Sequence, residues 1–191
     1  MAKSQLPSSG TIRQLLTYDP LTGRLFWRKR PVAMFDDTPS RSAAHAAANW
    51  NSRYAGTEAA TSLNDQGYRQ AQIFGIRTRA HILAWAIHYG EVPEADIDHV
   101  NGDRSDNRIT NLRLATRSQN QCNRRSDTRG CVSFRGVSRS ANGHRFIAYI
   151  KVERISRYLG TFNTPEEAAQ AYDAAALQLH GEFAVLNSPG P

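Results

Sequence analysis

Asp98 and His99 are adjacent; Asn111 follows the histidine by twelve positions and Asn120 comes nine later. A carboxylate, an imidazole and two amides are the groups that hydrolysis of a phosphodiester needs. Water must be deprotonated near neutral pH, which suits an imidazole with an ordinary pKa of about 6.5. Negative charge builds on the leaving oxygen, so a divalent cation helps, and hard Mg²⁺ (or Mn²⁺) takes a few protein oxygens plus phosphate and water. Asp98 and the amide oxygen of Asn120 are the expected metal ligands. His99 is the expected base, with Asn111 holding its ring through the other nitrogen. The products would be a 5′-phosphate and a 3′-hydroxyl. The competing reading is that Asp, Asn and Gly simply make loops, and "NGDRSDNR" fits that on its own. An isolated Asp-His pair carries little weight; four groups at these spacings carry more.

The surrounding elements decide whether the groups can meet. "ADIDH" reads as a short strand, "VNGDRSDNRIT" as a long polar loop, "NLRLA" as a second strand and "TRSQNQCNRR" as a helix capped by Thr116. Upstream, "RAHILAWAIHYGE" is apolar almost all round and stops at Gly90, which predicts a short buried helix. "GYRQAQIFGIRT" predicts a hairpin, "YDPLTGRLFWRKR" a turn feeding a strand, and "DDTPSRSAAHAAAN" (36–49) a loop. On this reading residues 1–66 form a β-rich region and 67–125 the catalytic core. His81 and His88 share a helix face, yet no His-Glu-x-x-His pattern points to zinc; His81 is read as a structural histidine, with a phosphate contact near the site as the alternative. Trp27 and Trp85 are expected in the core and not as base-stacking platforms, while Trp50, in a loop, is left open between the two.

Residues 124–133, "RRSDTRGCVS", have no apolar period, and a linker is expected over 126–133. Residues 134–188 change character. "FRGVSRS", "HRFIAYIKV" and "ISRYLGTF" read as three strands, separated by Asn142-Gly143, a two-residue hairpin signal, and by Glu153-Arg154. A helix follows: Thr164 caps it, Pro165 opens it, Glu167 closes a capping box and Gly181 ends it. Ala168, Ala169, Tyr172, Ala175, Ala176 and Leu179 recur at helical spacing as a close-packing face. Arg135, Arg139, Arg145, Lys151, Arg154 and Arg157 fall in the strand region with only Glu153 against them, whereas the helix is acidic. A basic sheet backed by an acidic helix is the expected layout of a module that sets its sheet against nucleic acid.

Composition agrees. The chain has 191 residues, a formal net charge of +7 and 24 basic residues, of which Lys3, Lys29 and Lys151 are the lysines. Arginine suits bidentate contact with phosphate and guanine edges. Cys122 and Cys131 are too few for a disulfide framework. No apolar run has the length of a membrane span and the N-terminus has no signal-peptide core, so a cytoplasmic protein without a membrane partner or nucleotide cofactor is expected, in a host cell if phage-encoded.

The residues also carry a resemblance. "DH.NGD..DNR..NLR.AT..QN" resembles the HNH nucleases in their His-Asn-Asn variant, of the phage and homing type, and "AHILAWAIHYG", "YDP.TG.L.W" and "GYR" resemble the part that precedes their core. The final position is Asn120 where a histidine also occurs in that family. The segment from Phe134 to Asn187 is similar to the DNA-binding domain of plant ethylene-response factors, with Phe146 where tryptophan is usual. The resemblance implies an α+β protein: a ββα-metal core with an N-terminal β-rich extension, plus a three-stranded sheet packed on one helix. It implies a metal-dependent endonuclease acting on double-stranded DNA as a monomer or homodimer. The alternative is a non-catalytic DNA-binding regulator with an inactive core.

Overall fold

The computed structural model describes residues 6–122 and 134–187; the expected linker at 126–133, and Cys131 within it, lies outside them. Two compact units are present, Met1–Leu114 and Ala115–Pro191. Helix and strand are mixed in both. Among the described residues no helix is long and apolar enough to cross a membrane.

The first unit begins with α1 (Ser9–Leu15), capped by the Ser8 hydroxyl, and the hairpin β1 (Leu16–Asp19) and β2 (Arg24–Trp27). A helix, α2 (Ala43–Tyr54), follows where the sequence predicted a loop. Ser42 caps it by accepting the His45 N–H, and its alanines supply both helix propensity and a small buried face at Ala46 and Ala47. Trp50 therefore sits on a helix, and the N-terminal region is mixed, with two helices among its short strands, instead of β-rich. The strands β3 (Glu58–Ala59), β4 (Ser62–Leu63), β5 (Arg69–Ile73) and β6 (Ile76–Arg79) complete two three-stranded sheets, ordered β1-β2-β3 and β4-β5-β6. The β5-β6 turn is Phe74-Gly75, both at positive φ, as the expected hairpin requires.

Helix α3 (Ala80–Tyr89) is the centre of this unit. Ala80, His81, Leu83, Ala84, Trp85 and Ala86 are all buried, and Gly90 ends the helix in a left-handed turn. One side packs with Ile12, Leu15, Leu16, Leu25 and Ile73. The other packs Ala84 and Trp85 on Ile97 and Leu112 of β7 (Asp96–His99) and β8 (Leu112–Ala115), which pair as a two-stranded sheet. Apolar contact with α3 thus fixes the strands that carry Asp98 and His99.

The second unit contains α4 (Arg117–Cys122) and the sheet β9 (Val137–Arg139), β10 (Phe146–Val152) and β11 (Ile155–Phe162), with β10 central. Helix α5 (Pro165–His180) has the full predicted capping box and packs Tyr172 and Ala176 on Ile150. Leu179, expected on the packing face, is 39% exposed. The tight two-residue turn lies at Glu153-Arg154, both at positive φ, between the paired Val152 and Ile155. Asn142-Gly143 instead belongs to a longer connection closed by Ser140 and Arg145. Gly136 is obligatory: at φ 72 a Cβ would stand 2.1 Å from the Tyr172 ring.

Candidate active site

Ile97, Asp98 and His99 are buried in succession, so both faces of β7 are covered. Asp98 Oδ2 accepts two bonds from Arg113 on β8, from Nε at 2.9 Å and from Nη2 at 2.8 Å. The pair is shut away, with side-chain exposures of 15% for Arg113 and 6% for Asp98. Arg113 stands within the quoted "NLR", but nothing in its type alone assigns it to Asp98; only the pairing of the two strands does.

His99 is 4% exposed. The side chain that reaches its Nε2 is Asn107, with Oδ1 at 3.4 Å, not Asn111. Asn107 Nδ2 donates to the Ser105 carbonyl, which turns Oδ1 toward the imidazole and makes Nε2–H the donor in that contact. The neutral ring in this tautomer carries its lone pair on Nδ1. Burial lowers the His99 pKa, opposed by the Asn107 bond and by Asp98, Asp103 and Asp106.

Asn111 has a different task. Its Oδ1 accepts the Asn101 N–H at 2.9 Å and its Nδ2 donates to the Asp106 carbonyl at 2.8 Å, so it ties both ends of the loop to the start of β8. The loop itself is a chain of short side-chain-to-backbone turns. Asn101 accepts from Asp103 N–H, Asp103 from Ser105 N–H, and Asp106 takes a two-pronged grip from Arg108 that holds its carboxyl down at about 2. "NGDRSD" is therefore a self-bonded turn, as the loop reading has it.

The β1-β2 turn presses this loop into place. Tyr18 donates to the Asn107 carbonyl at 2.7 Å and Ile109 N–H to the Pro20 carbonyl at 3.2 Å. A Cβ on Gly23 would lie 2.5 Å from Arg108 N, so the close approach needs glycine. The "YDPLTG" stretch announces a turn, but its role as a buttress of Asn107 has no local signature.

An aromatic wall lines the other side of His99. The His81 ring centre is 5.0 Å away and that of Tyr68 5.9 Å. Burial first, then the nearby His99 and Arg79 charges, hold His81 at about 3, so it is a neutral ring at neutral pH and not a cationic phosphate contact. The exposed Arg79 and Arg104 lie over Tyr68, at 4.5 and 5.1 Å from its centre, and bring positive charge to the rim.

Asn120 lies on α4, in the other unit, with its N–H on the Thr116 carbonyl; Thr116 and Gln119 cap the helix reciprocally. Asp98, His99 and Asn111 are brought together in the first unit. Among the described residues no group of three or more His, Cys, Asp or Glu could hold a metal ion. The expected set, one carboxylate and one amide, has the oxygen chemistry a hard cation takes. Asp98 Oδ2 is already taken by the Arg113 guanidinium, so a cation there would have to share the carboxylate with it.

In the second unit Arg139, Arg145, Lys151, Arg154 and Arg157 are exposed and Arg135 is half-buried. They do not share one face. Strand register puts Lys151 with Tyr149, Tyr158 and Ser156 on the side away from α5, while Arg157 pairs with buried Ile150 and Arg139 with Phe146. Arg154 is in the turn. Arg135 has its backbone clamped by Asn187, which Asp173 of α5 holds in turn.

Residues 78–122 match the HNH endonuclease family. That stretch runs from the end of β6 through α3, β7, the loop and β8 to α4. An uncharacterised HNH endonuclease of Acanthamoeba polyphaga mimivirus is 29% identical over 126 residues, 65% of either chain. An ethylene-responsive transcription factor of Arabidopsis thaliana is 47% identical over 58 residues, 29% of this chain and 32% of its own. An AP2-like ethylene-responsive transcription factor of the same plant is 30% identical over 155 residues, 72% of this chain and 27% of its own. The chain spans less than two thirds of each relative's length. The matches support an HNH nuclease; the likeness to the transcription factors is partial.

Proposed function

We propose that the chain is a divalent-metal-dependent DNA endonuclease that leaves a 5′-phosphate and a 3′-hydroxyl. The observation that carries this reading is that the HNH endonuclease match covers the segment in which His99 is buried beside Asp98 with its Nε2 on Asn107. His99 is the base and takes the proton of the attacking water. Its lowered pKa keeps the ring neutral, hence able to accept, at neutral pH. Asn107 holds the ring's orientation and tautomer, and Asn111 holds the loop that presents Asn107. Asp98 and Asn120, the ligands the HNH resemblance implies, are the residues that would hold the cation. When bound, the cation would stabilise charge on the departing 3′ oxygen. Arg79 and Arg104 are the rim contacts for flanking phosphates. Residues 134–187 act as the DNA-binding module, its open sheet face with Tyr149, Lys151 and Tyr158 toward the major groove, and Arg135, Arg139, Arg145, Arg154 and Arg157 on surrounding phosphates.

The test incubates supercoiled and linear DNA with the protein in Mg²⁺, Mn²⁺ or EDTA, beside His99→Ala. Cleavage with metal, lost in EDTA and in the variant, is expected. No cleavage with either metal, or an equally active variant, sinks the reading. The partial likeness to transcription factors favours one second reading, a DNA-binding regulator with a silent core; sequence-selective binding without cleavage would install it.

A further inference from the structure

Trp27 at the end of β2, Trp50 and Tyr54 on α2, and Phe74 at the tip of the β5-β6 hairpin wall a cleft of about 450 Å³. Trp27, expected in the core, and Trp50, left open by the sequence, are both only half-buried. Arg30 reaches into the cleft, with its guanidinium 3.9 Å from the centre of the Trp50 ring, 5.2 Å from Trp27 and 5.8 Å from Phe74. Its backbone is fixed there by Asn51, which accepts the Arg30 N–H at 2.8 Å and donates to the Arg30 carbonyl at 2.9 Å.

Two features of this cluster are unmet. Arg30 Nε is buried with no hydrogen-bond partner among the described residues, and no carboxylate lines the cleft. Contact with the rings offsets part of the guanidinium's lost hydration but supplies no acceptor for its N–H groups. Meanwhile Phe74 is 53% exposed and Tyr54 36% exposed, large rings left to water. The exposed Arg53 and Arg77 line an adjoining hollow with Trp27 and Tyr54.

A ligand that satisfies both must be anionic at one end and flat and apolar at the other. A hydrocarbon leaves the arginine unmet, and an acidic side chain leaves the rings. A nucleotide supplies both, since its phosphate accepts from the guanidinium and its base stacks on the aromatic faces. We infer that this cleft binds an unpaired nucleotide of a DNA strand, with the phosphate on Arg30 and the base against Phe74 and Tyr54. The inference rests on the nuclease reading for the identity of the strand. Its position agrees: Phe74 is at the tip of the hairpin whose root, Tyr68, lies 5.9 Å from His99. Six strand residues span roughly 20 Å, which sets the cleft several nucleotides beyond the scissile phosphate. The cleft would grip a strand beyond the point of cutting and so act on KM more than on kcat.

The test uses the full chain carrying His99→Ala, in EDTA, with a short oligothymidylate in which one base is 5-iodouracil. Quenching of tryptophan fluorescence and a photocrosslink to Trp50, Tyr54 or Phe74 are expected. Phe74→Ala, an exposed position safe for folding, should weaken oligonucleotide binding about tenfold, and Arg30→Gln should weaken it and flatten its salt dependence. Crosslinks confined to Tyr149 or Tyr158, unchanged affinity in Phe74→Ala, or equal affinity for thymidine monophosphate would each overturn the inference. Neither cation nor turnover enters this assay. A protein that crosslinks at Phe74 but cuts no DNA sinks the nuclease reading and upholds the site; one that cuts DNA but crosslinks only elsewhere does the reverse.

Discussion

Replacing Arg113 with methionine tests both the framework of the site and its readiness for a cation. Methionine keeps much of the side chain's length and removes its charge. The guanidinium lies 2.8 Å from the Asp98 carboxylate, with both groups largely buried. At an effective dielectric of about 20 their attraction is about 6 kcal/mol before desolvation, and taking one partner from a buried pair costs about 3 to 5 kcal/mol. That is a large share of the roughly 5 to 15 kcal/mol that holds a domain folded. It corresponds to a fall in Tm of 10 °C or more for a unit of this size. The readout is convenient: Trp27, Trp50 and Trp85, the chain's three tryptophans, all lie in Met1–Leu114, so their fluorescence in urea reports this unit alone. Asp98→Asn combined with Arg113→Met should lose less than the sum of the single variants, because the buried charge is gone with its partner. If Asp98 holds the cation, Mg²⁺ or Mn²⁺ should stabilise Arg113→Met more than wild type, since metal replaces the missing positive charge. At a concentration one hundred times its Kd that linkage amounts to about 2.7 kcal/mol. Wild-type unfolding in Arg113→Met would refute the buried pair. Equal stabilisation of both proteins by the cation would refute Asp98 as its holder.

Three further outcomes follow from single contacts. His81 titrates at about 3 in the folded unit because of burial, against about 6.5 unfolded, so its contribution is intact above pH 6.5 and is lost as pH falls toward 3. The unit should lose about 1.4 kcal/mol per pH unit across that window, and urea titrations of His81→Gln should show a flatter slope; an unchanged slope assigns acid lability elsewhere. Asn107→Ala removes a bond that raises the His99 pKa, so kcat should drop about 10- to 100-fold and the acid limb of the pH profile should move to lower pH. An unmoved limb would show that Asn107 does not set the base. Gly136→Ala puts a Cβ 2.1 Å from Tyr172 at a positive φ, and should destabilise the second unit by about 3 kcal/mol or more; circular dichroism of the variant during thermal unfolding checks it, and wild-type stability refutes the packing.

What the sequence disclosed was what local rules govern. The capping box at Thr164 and Glu167, the glycine stop at Gly90 and the Phe74-Gly75 hairpin are each decided within a few residues, and each formed as expected. The misses arise where two local signals compete or where packing decides. In 36–49, Asp, Thr, Pro and Ser suggested a loop, yet the run from Ala43 needed only Ser42 as a cap to become a helix. Asn142-Gly143 carries the residues of a two-residue turn, but the six positions between Arg139 and Phe146 leave it inside a wider connection. Glu153-Arg154 adopts the tight turn because the ladder on either side is already in register. Leu179 has the right helical phase but stays 39% exposed in the last turn of α5.

The site divides along the same line. Residue types and spacing were enough to single out Asp98, His99 and Asn111, since a strand, a loop and a strand bring them near one another whatever the detail. They could not tell which of two asparagines, Asn107 or Asn111, meets the imidazole. That is decided by the β1-β2 turn, some eighty residues upstream in the sequence order, where Tyr18 and the bare backbone of Gly23 hold the Asn107 peptide in place. Asn111 is then occupied in closing the loop. A histidine beside a buried amide, itself placed by a distant turn, has its ring oriented before any substrate arrives. The chemistry proposed for His99 therefore depends on the integrity of the N-terminal hairpin as much as on the motif that announces it.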